Sequence, residues 1–268
     1  MRMLRLAAAA TLGVVLMFGP PVSAQTADRL TDKDVKELID TVDQARDRFE
    51  DQLDSKVKDA ILRGPNGEVN VSSFLDDFQE NMDRLKNRFK PDYAASAEAA
   101  AVLRQGSAVS GFMKTQPLSL NGTSEWDHLA TSLTRLAGVY GAKFPLTNET
   151  VRRISDGEAA AAAEDVEKQA DQFKDAVNRE KTLAAPAKNG LKSAADVLKE
   201  SAKTLRSRLN DSKPATAEAR QVFDALRKLE GSMKSLNLSP SSLTSIGAMK
   251  APLTTLQNAF GITPVPGT

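Results

Sequence analysis

Glu125 and His128 sit three positions apart in the stretch Ser124-Glu125-Trp126-Asp127-His128-Leu129, which holds the one histidine and the one tryptophan of the chain. On a helix that spacing puts both side chains on one face, as in the Glu-x-x-His ligands of four-helix di-iron sites. Such a site needs a second Glu-x-x-His and glutamates from the two other helices, and no second histidine exists. One imidazole among scattered carboxylates falls short of a tetrahedral or octahedral ligand set. The expectation is therefore no metal, with Glu125 and His128 as the only candidates. A plainer reading accounts for every residue of the stretch. Ser124 caps a helix start, Asp127 completes a capping box, Glu125 suits the positive helix end, Trp126 and Leu129 face the core, and His128 is exposed.

A haem between bundle helices needs a histidine and a methionine, for which Met82, Met113 and His128 are the candidates. Methionines at core spacing ordinarily fill packing gaps, so no cofactor is expected. Nucleophilic catalysis has little to work with. The chain has no cysteine and no G-x-S-x-G, and a Ser/His/Asp triad could draw only on His128. Phosphate-binding glycine loops are absent, and the many acids carry no spacing that separates a catalytic pair from helix surface. The chain reads as a non-enzyme.

The N-terminus gives an address. Arg2 and Arg5 precede an apolar run from Leu6 to Phe18, then Pro20-Pro21 and Val22-Ser23-Ala24. That is the pattern of a secretory signal cleaved after Ala24, and the run is too short to span a bilayer comfortably. A periplasmic or secreted location is expected. No later stretch is apolar for long enough to cross a membrane. With 36 basic and 35 acidic residues, net charge +1, the chain has no global attraction for nucleic acid.

Few aromatics and much Ala, Leu, Asp and Lys favour helices. The first helix is expected from the Thr31-Asp32-Lys33-Asp34 cap, with apolar positions from Val35 through Phe49, Leu53 and Val57 to Ile61, on the order of 45 Å long. Gly64 to Glu68 form a turn. A second helix carries Phe74, Leu75, Phe78, Met82, Leu85 and Phe89 on one face, a third runs to about Lys114, and a fourth carries Trp126, Leu129, Leu133, Leu136, Val139 and Tyr140. Phe74, Phe78, Phe89 and Phe112 could line a ligand cavity or fill a core; spacing does not separate the two.

The chain then says much the same again. Ala95, Ala97, Glu98, Ala99, Val102, Gly111, Met113 and Lys114 recur 120 positions later without a gap. Upstream the offset becomes 124, with Val42 over Val166 and Phe49 over Phe173. The fold expected is all-α, a tandem duplication of an antiparallel four-helix bundle with about eight helices in total. Residues 25–146 and 147–260 make the two bundles, joined near Phe144-Pro145-Leu146, and 261–268 are a flexible tail. Ser155 to Glu158 and Ser239-Pro240 cap helices of the second copy, and Pro252 kinks its last one.

Three polar pairs repeat, Glu98/Glu218, Lys114/Lys234 and Arg88/Arg208, and the two glutamates read as first-turn helix acids rather than a site. The halves carry net charges of −4 (25–146) and +3 (147–268), which could help them dock, although interleaved helix charges ordinarily form a solvated face. The acids of the first helix disfavour anionic membrane. Asn70, Asn121, Asn148, Asn210 and Asn237 head Asn-x-Ser/Thr triplets, which are read as capping sequences. These observations add up to an exported, non-enzymatic helical protein of the bacterial envelope, binding or scaffolding an unknown protein or envelope component. The alternative is a periplasmic haem or metal carrier using His128.

Overall fold

The computed structural model describes residues 28–64, 67–114 and 120–262; the signal sequence expected over 1–24 lies outside them. The described chain is predominantly helical: α1 (Asp32–Asp51), α2 (Ser55–Lys58), strands β1 (Ile61–Gly64) and β2 (Gly67–Asn70), α3 (Val71–Arg88), α4 (Ser96–Met113), α5 (Leu120–Val139), α6 (Asp156–Arg179), α7 (Ala185–Asn210), α8 (Thr216–Met233), α9 (Pro240–Ala248) and α10 (Lys250–Phe260). No helix among the described residues is long and apolar enough to cross a membrane.

The first helix is shorter than its apolar spacing suggests. It ends at Asp51, and Asp54 caps α2 by accepting the Val57 N–H at 3.1 Å. The chain then turns into an antiparallel hairpin pairing Leu62 with Val69 and Gly64 with Gly67. Alternation explains the strand: Leu62 is buried and Ile61 exposed, a period of two. Gly67, at φ +119°, holds a conformation open to glycine. Asn70 caps α3 through its own side chain, which accepts the Ser73 N–H at 2.8 Å. The fourth helix begins at Leu120, so Ser124 and Asp127 lie inside it and do not cap its start.

Two clusters of buried apolar residues hold the chain. One runs from Val35 to Ala142 and takes α1, β1, α3, α4 and α5; Phe144, Leu146 and Val151 pack on its edge. The other runs from Ile154 to Phe260. Phe74, Phe78, Phe89 and Phe112 are all buried in the first. The helices that open the clusters fill them differently. Helix α1 supplies Leu38, Ile39, Val42 and Phe49 and packs mainly on α5. Helix α6 supplies Ala159, Ala162, Ala163 and Ala170, whose short side chains let it pack most extensively on α7.

At the end of the chain a break at Met249 separates α9 from α10. Pro252, in the first turn of α10, has no N–H to continue the helix from Ala248, whereas α5 runs unbroken. Gly261 closes α10 in the left-handed region at φ 60°, and Ile262 donates its N–H to Gln257 O and packs on the second cluster. Residues 263–268 of the expected tail lie outside the described ones.

Candidate functional site

Helices α1 and α6 start in the same way. Thr31 accepts the Asp34 N–H and donates its own N–H to Asp34, and Ser155 does the same with Glu158, so both starts are complete capping boxes. The next residue, Asp32 or Asp156, opens each helix with its N–H pointing out of the first turn. These two starts face each other. Asp32 N–H donates to Asp156 Oδ2 at 2.8 Å, and Asp156 N–H donates to Asp32 Oδ2 at 2.7 Å. Two positive helix ends thus meet head to head, each neutralised by the carboxylate of the other.

Two arginines complete the exchange. Arg153 reaches Asp32 Oδ1 at 2.7 Å and Leu30 O at 2.7 Å; Arg29 reaches Asp156 Oδ1 and, at 2.6 Å, Ile154 O. Even the backbone contacts match, since Arg29 N–H donates to Thr216 Oγ1 and Arg153 N–H to Ser96 Oγ. The Arg29 guanidinium also lies 5.4 Å from the centre of the Phe260 ring. All four charged side chains are 4–9 % exposed. Burial pushes the Asp32 carboxyl up, against the pull of the Asp156 N–H and Arg153, and pushes the Arg29 guanidinium down. Nearby, burial raises the Tyr140 phenol, whose hydroxyl donates to Ala94 O at 2.6 Å. The carboxylates and guanidinia are paired within the seam, which suits a structural joint better than a reacting centre.

Other ion pairs recur at the 120 and 124 offsets. Arg88 meets Glu98 at 3.0 Å and Arg208 meets Glu218 at 3.3 Å. Lys86 meets Asp43 and Arg206 meets Glu167, each at 2.7 Å. The glutamates read from sequence as first-turn acids are indeed in the first turns of α4 and α8, but they also hold the arginines that repeat with them. Lys114 and Lys234 are exposed.

Beside the seam lies an open cleft of about 820 Å³, with Asp28, Leu30, Val139, Arg152, Ile154 and Ala259 in its wall. Both halves of the chain contribute to it. Arg135 and Arg152 also face the cleft; both are exposed, and among the described residues neither guanidinium has an ion-pair partner. Arg152 is positioned by its N–H, which donates to Tyr140 O at 3.0 Å and holds it beside the helix that carries Arg135.

The residues singled out from sequence do not converge. His128 is exposed in α5, and Glu125 is half-buried with Oε2 unpartnered. No group of three or more His, Cys, Asp or Glu suited to a metal occurs among the described residues. Met82 is fully buried and Met113 half-buried. Trp126 packs its ring 5.5 Å from that of Phe49. The seam itself was missed, although its signal is legible: Arg29-Leu30-Thr31-Asp32 recurs as Arg153-Ile154-Ser155-Asp156 at the 124 offset.

The chain matches no family model, no curated protein and no solved structure.

Proposed function

We propose that this chain is an exported, non-enzymatic helical protein of the bacterial envelope that works by binding, with the cleft beside the seam as its binding place. Its architecture is read as a tandem duplication of an antiparallel four-helix bundle, residues 25–146 and 147–260, in which α9 and α10 together stand for α5. Support for the duplication comes from the matched exchange of Arg29, Leu30 and Asp32 with Arg153, Ile154 and Asp156. The observation that carries the binding role is the cleft, which draws on both halves and combines two unpaired guanidinia with apolar contact from Leu30, Val139, Ile154 and Ala259.

Native mass spectrometry of the protein isolated from its own envelope tests this reading. A polypeptide mass of residues 25–268 is expected, with a retained small molecule or partner that is lost from Gly138→Phe. Gly138 lines the cleft and a Cβ there meets nothing within 4 Å, so the larger side chain is expected to occupy cleft space without displacing the core. A retained species unaffected by the plug, or a protein that retains nothing and crosslinks to no envelope component, contradicts the reading.

A further inference from the structure

We propose that the seam cleft takes a small amphipathic anion, one carboxylate or phosphate group on an apolar body, with Arg135 and Arg152 on the anionic group. The inference rests on the binding reading above and on the correspondence of the two halves.

Most positions lining the cleft are matched in type across the 120 or 124 offset: Leu30 with Ile154, Val139 with Ala259, Gly141 with Gly261, Arg29 with Arg153. Charge departs from the match at two places only. Arg152 stands opposite Asp28, and Arg135 stands opposite Thr255. Arg29 and Arg153 are buried, and the charge of each is already balanced by an aspartate, with a backbone carbonyl as a further partner. The exposed cations without a charge partner are therefore the two that the halves do not share. Asp28 lines the same cleft and sets a negative charge beside the two arginines' positive ones.

Arginine is suited to this task. Its planar fork binds a carboxylate or phosphate through paired hydrogen bonds and is less strongly hydrated than an ammonium. Apolar contact comes from Leu30, Val139, Ile154 and Ala259. The volume, about 820 Å³, falls in the range of about 300–1,000 Å³ common to small-molecule sites. A large polymeric anion is disfavoured by the near-neutral chain and by Asp28.

The test is titration calorimetry of the purified protein with four probes: octanoate, octyl phosphate, octanol and inorganic phosphate. Octanoate or octyl phosphate should bind at one site per chain, and which is tighter distinguishes a fatty carboxylate from a phosphate headgroup. Arg135→Ala/Arg152→Ala should weaken that binding about tenfold or more, as expected from loss of charged hydrogen bonds. Asp28→Asn should strengthen it. Octanol binding as tightly as octanoate, inorganic phosphate as tightly as octyl phosphate, or an unchanged affinity in the double variant overturns the proposal. Both variants alter exposed side chains, and an unchanged melting curve verifies that they fold. If neither amphiphile binds while Gly138→Phe still strips a retained species from the native protein, the ligand class is wrong and the binding reading stands. If the plug has no effect, the binding reading itself fails.

Discussion

Asp32 and Asp156, 124 residues apart in the chain, each accept the backbone N–H of the other, at 2.7 and 2.8 Å. Each is the first residue of its helix, so the exchange joins two helix starts through the groups that a helix leaves unpaired. Arg153 and Arg29 then neutralise the two carboxylates from the opposite half. Buried ion pairs of this kind add little net stability over apolar packing, but they are costly to break singly.

Removing one member should therefore leave an uncompensated partner. Asp156→Ala strands Arg29, whose side chain is 9 % exposed, and is expected to cost about 3–5 kcal/mol. Asp32→Ala strands Arg153 and should cost a similar amount. Because the four residues act together, the double variant should lose less than the two single losses combined. Urea unfolding of the wild type and the three variants measures this, and strictly additive losses would mean that the two aspartates act independently.

Gly157 should resist even one added carbon. Its N–H donates to Pro91 O at 2.8 Å, and a Cβ there would stand 2.5 Å from that same backbone oxygen. Gly157→Ala is expected to destabilise by about 1–3 kcal/mol through overpacking. The corresponding position in α1 is Lys33, which is exposed, and Lys33→Ala should stay within about 0.5 kcal/mol of wild type. Thermal unfolding of both variants checks the contrast.

Glu180 gives the second half an acid sensitivity. Its Oε1 accepts from the Ser239 N–H at 2.8 Å and the Ser242 hydroxyl at 2.7 Å, tying the end of α6 to the start of α9. The two serines hold its carboxyl below the usual glutamate value of 4.5. The folded state thus binds the proton less readily than the unfolded state. The stabilisation is complete above the unfolded value and lost as pH falls through the depressed one. Glu180→Gln should melt below wild type at pH 6, and the gap should close as the pH falls below 4.5. A gap that stays constant would show that the carboxylate charge is not what matters.

Much of the helical frame is legible in the sequence because it depends on local spacing. The face of Phe74, Phe78, Met82 and Leu85 is buried as its period implies, and the capping boxes at Thr31 and Ser155 form as written. The misreadings have local causes too. Val57, Ala60 and Ile61 continue the spacing of α1, so the hairpin hides behind a helical period until Gly67 is weighed. Ser124-x-x-Asp127 resembles a cap, but a cap motif inside a continuing helix is only sequence. The seam escaped for a different reason. Arg29 and Arg153 precede the apolar stripes used to align the halves, and their partners are set by tertiary packing. The cleft is less legible still, since Arg135 and Arg152 look like any exposed helix or loop arginine until the fold places them together.

The most direct measurement of the central claim, that the seam makes one body of two halves, compares two probes of thermal unfolding. Trp126 is the only tryptophan and packs on the first cluster beside Phe49, so its fluorescence reports the first half, while far-UV circular dichroism reports helices of both. The account predicts coincident transitions in the wild type and separate ones in Arg29→Met/Arg153→Met. Separate transitions in the wild type would contradict it: the two halves would then unfold independently and the Asp32–Asp156 exchange would not couple them.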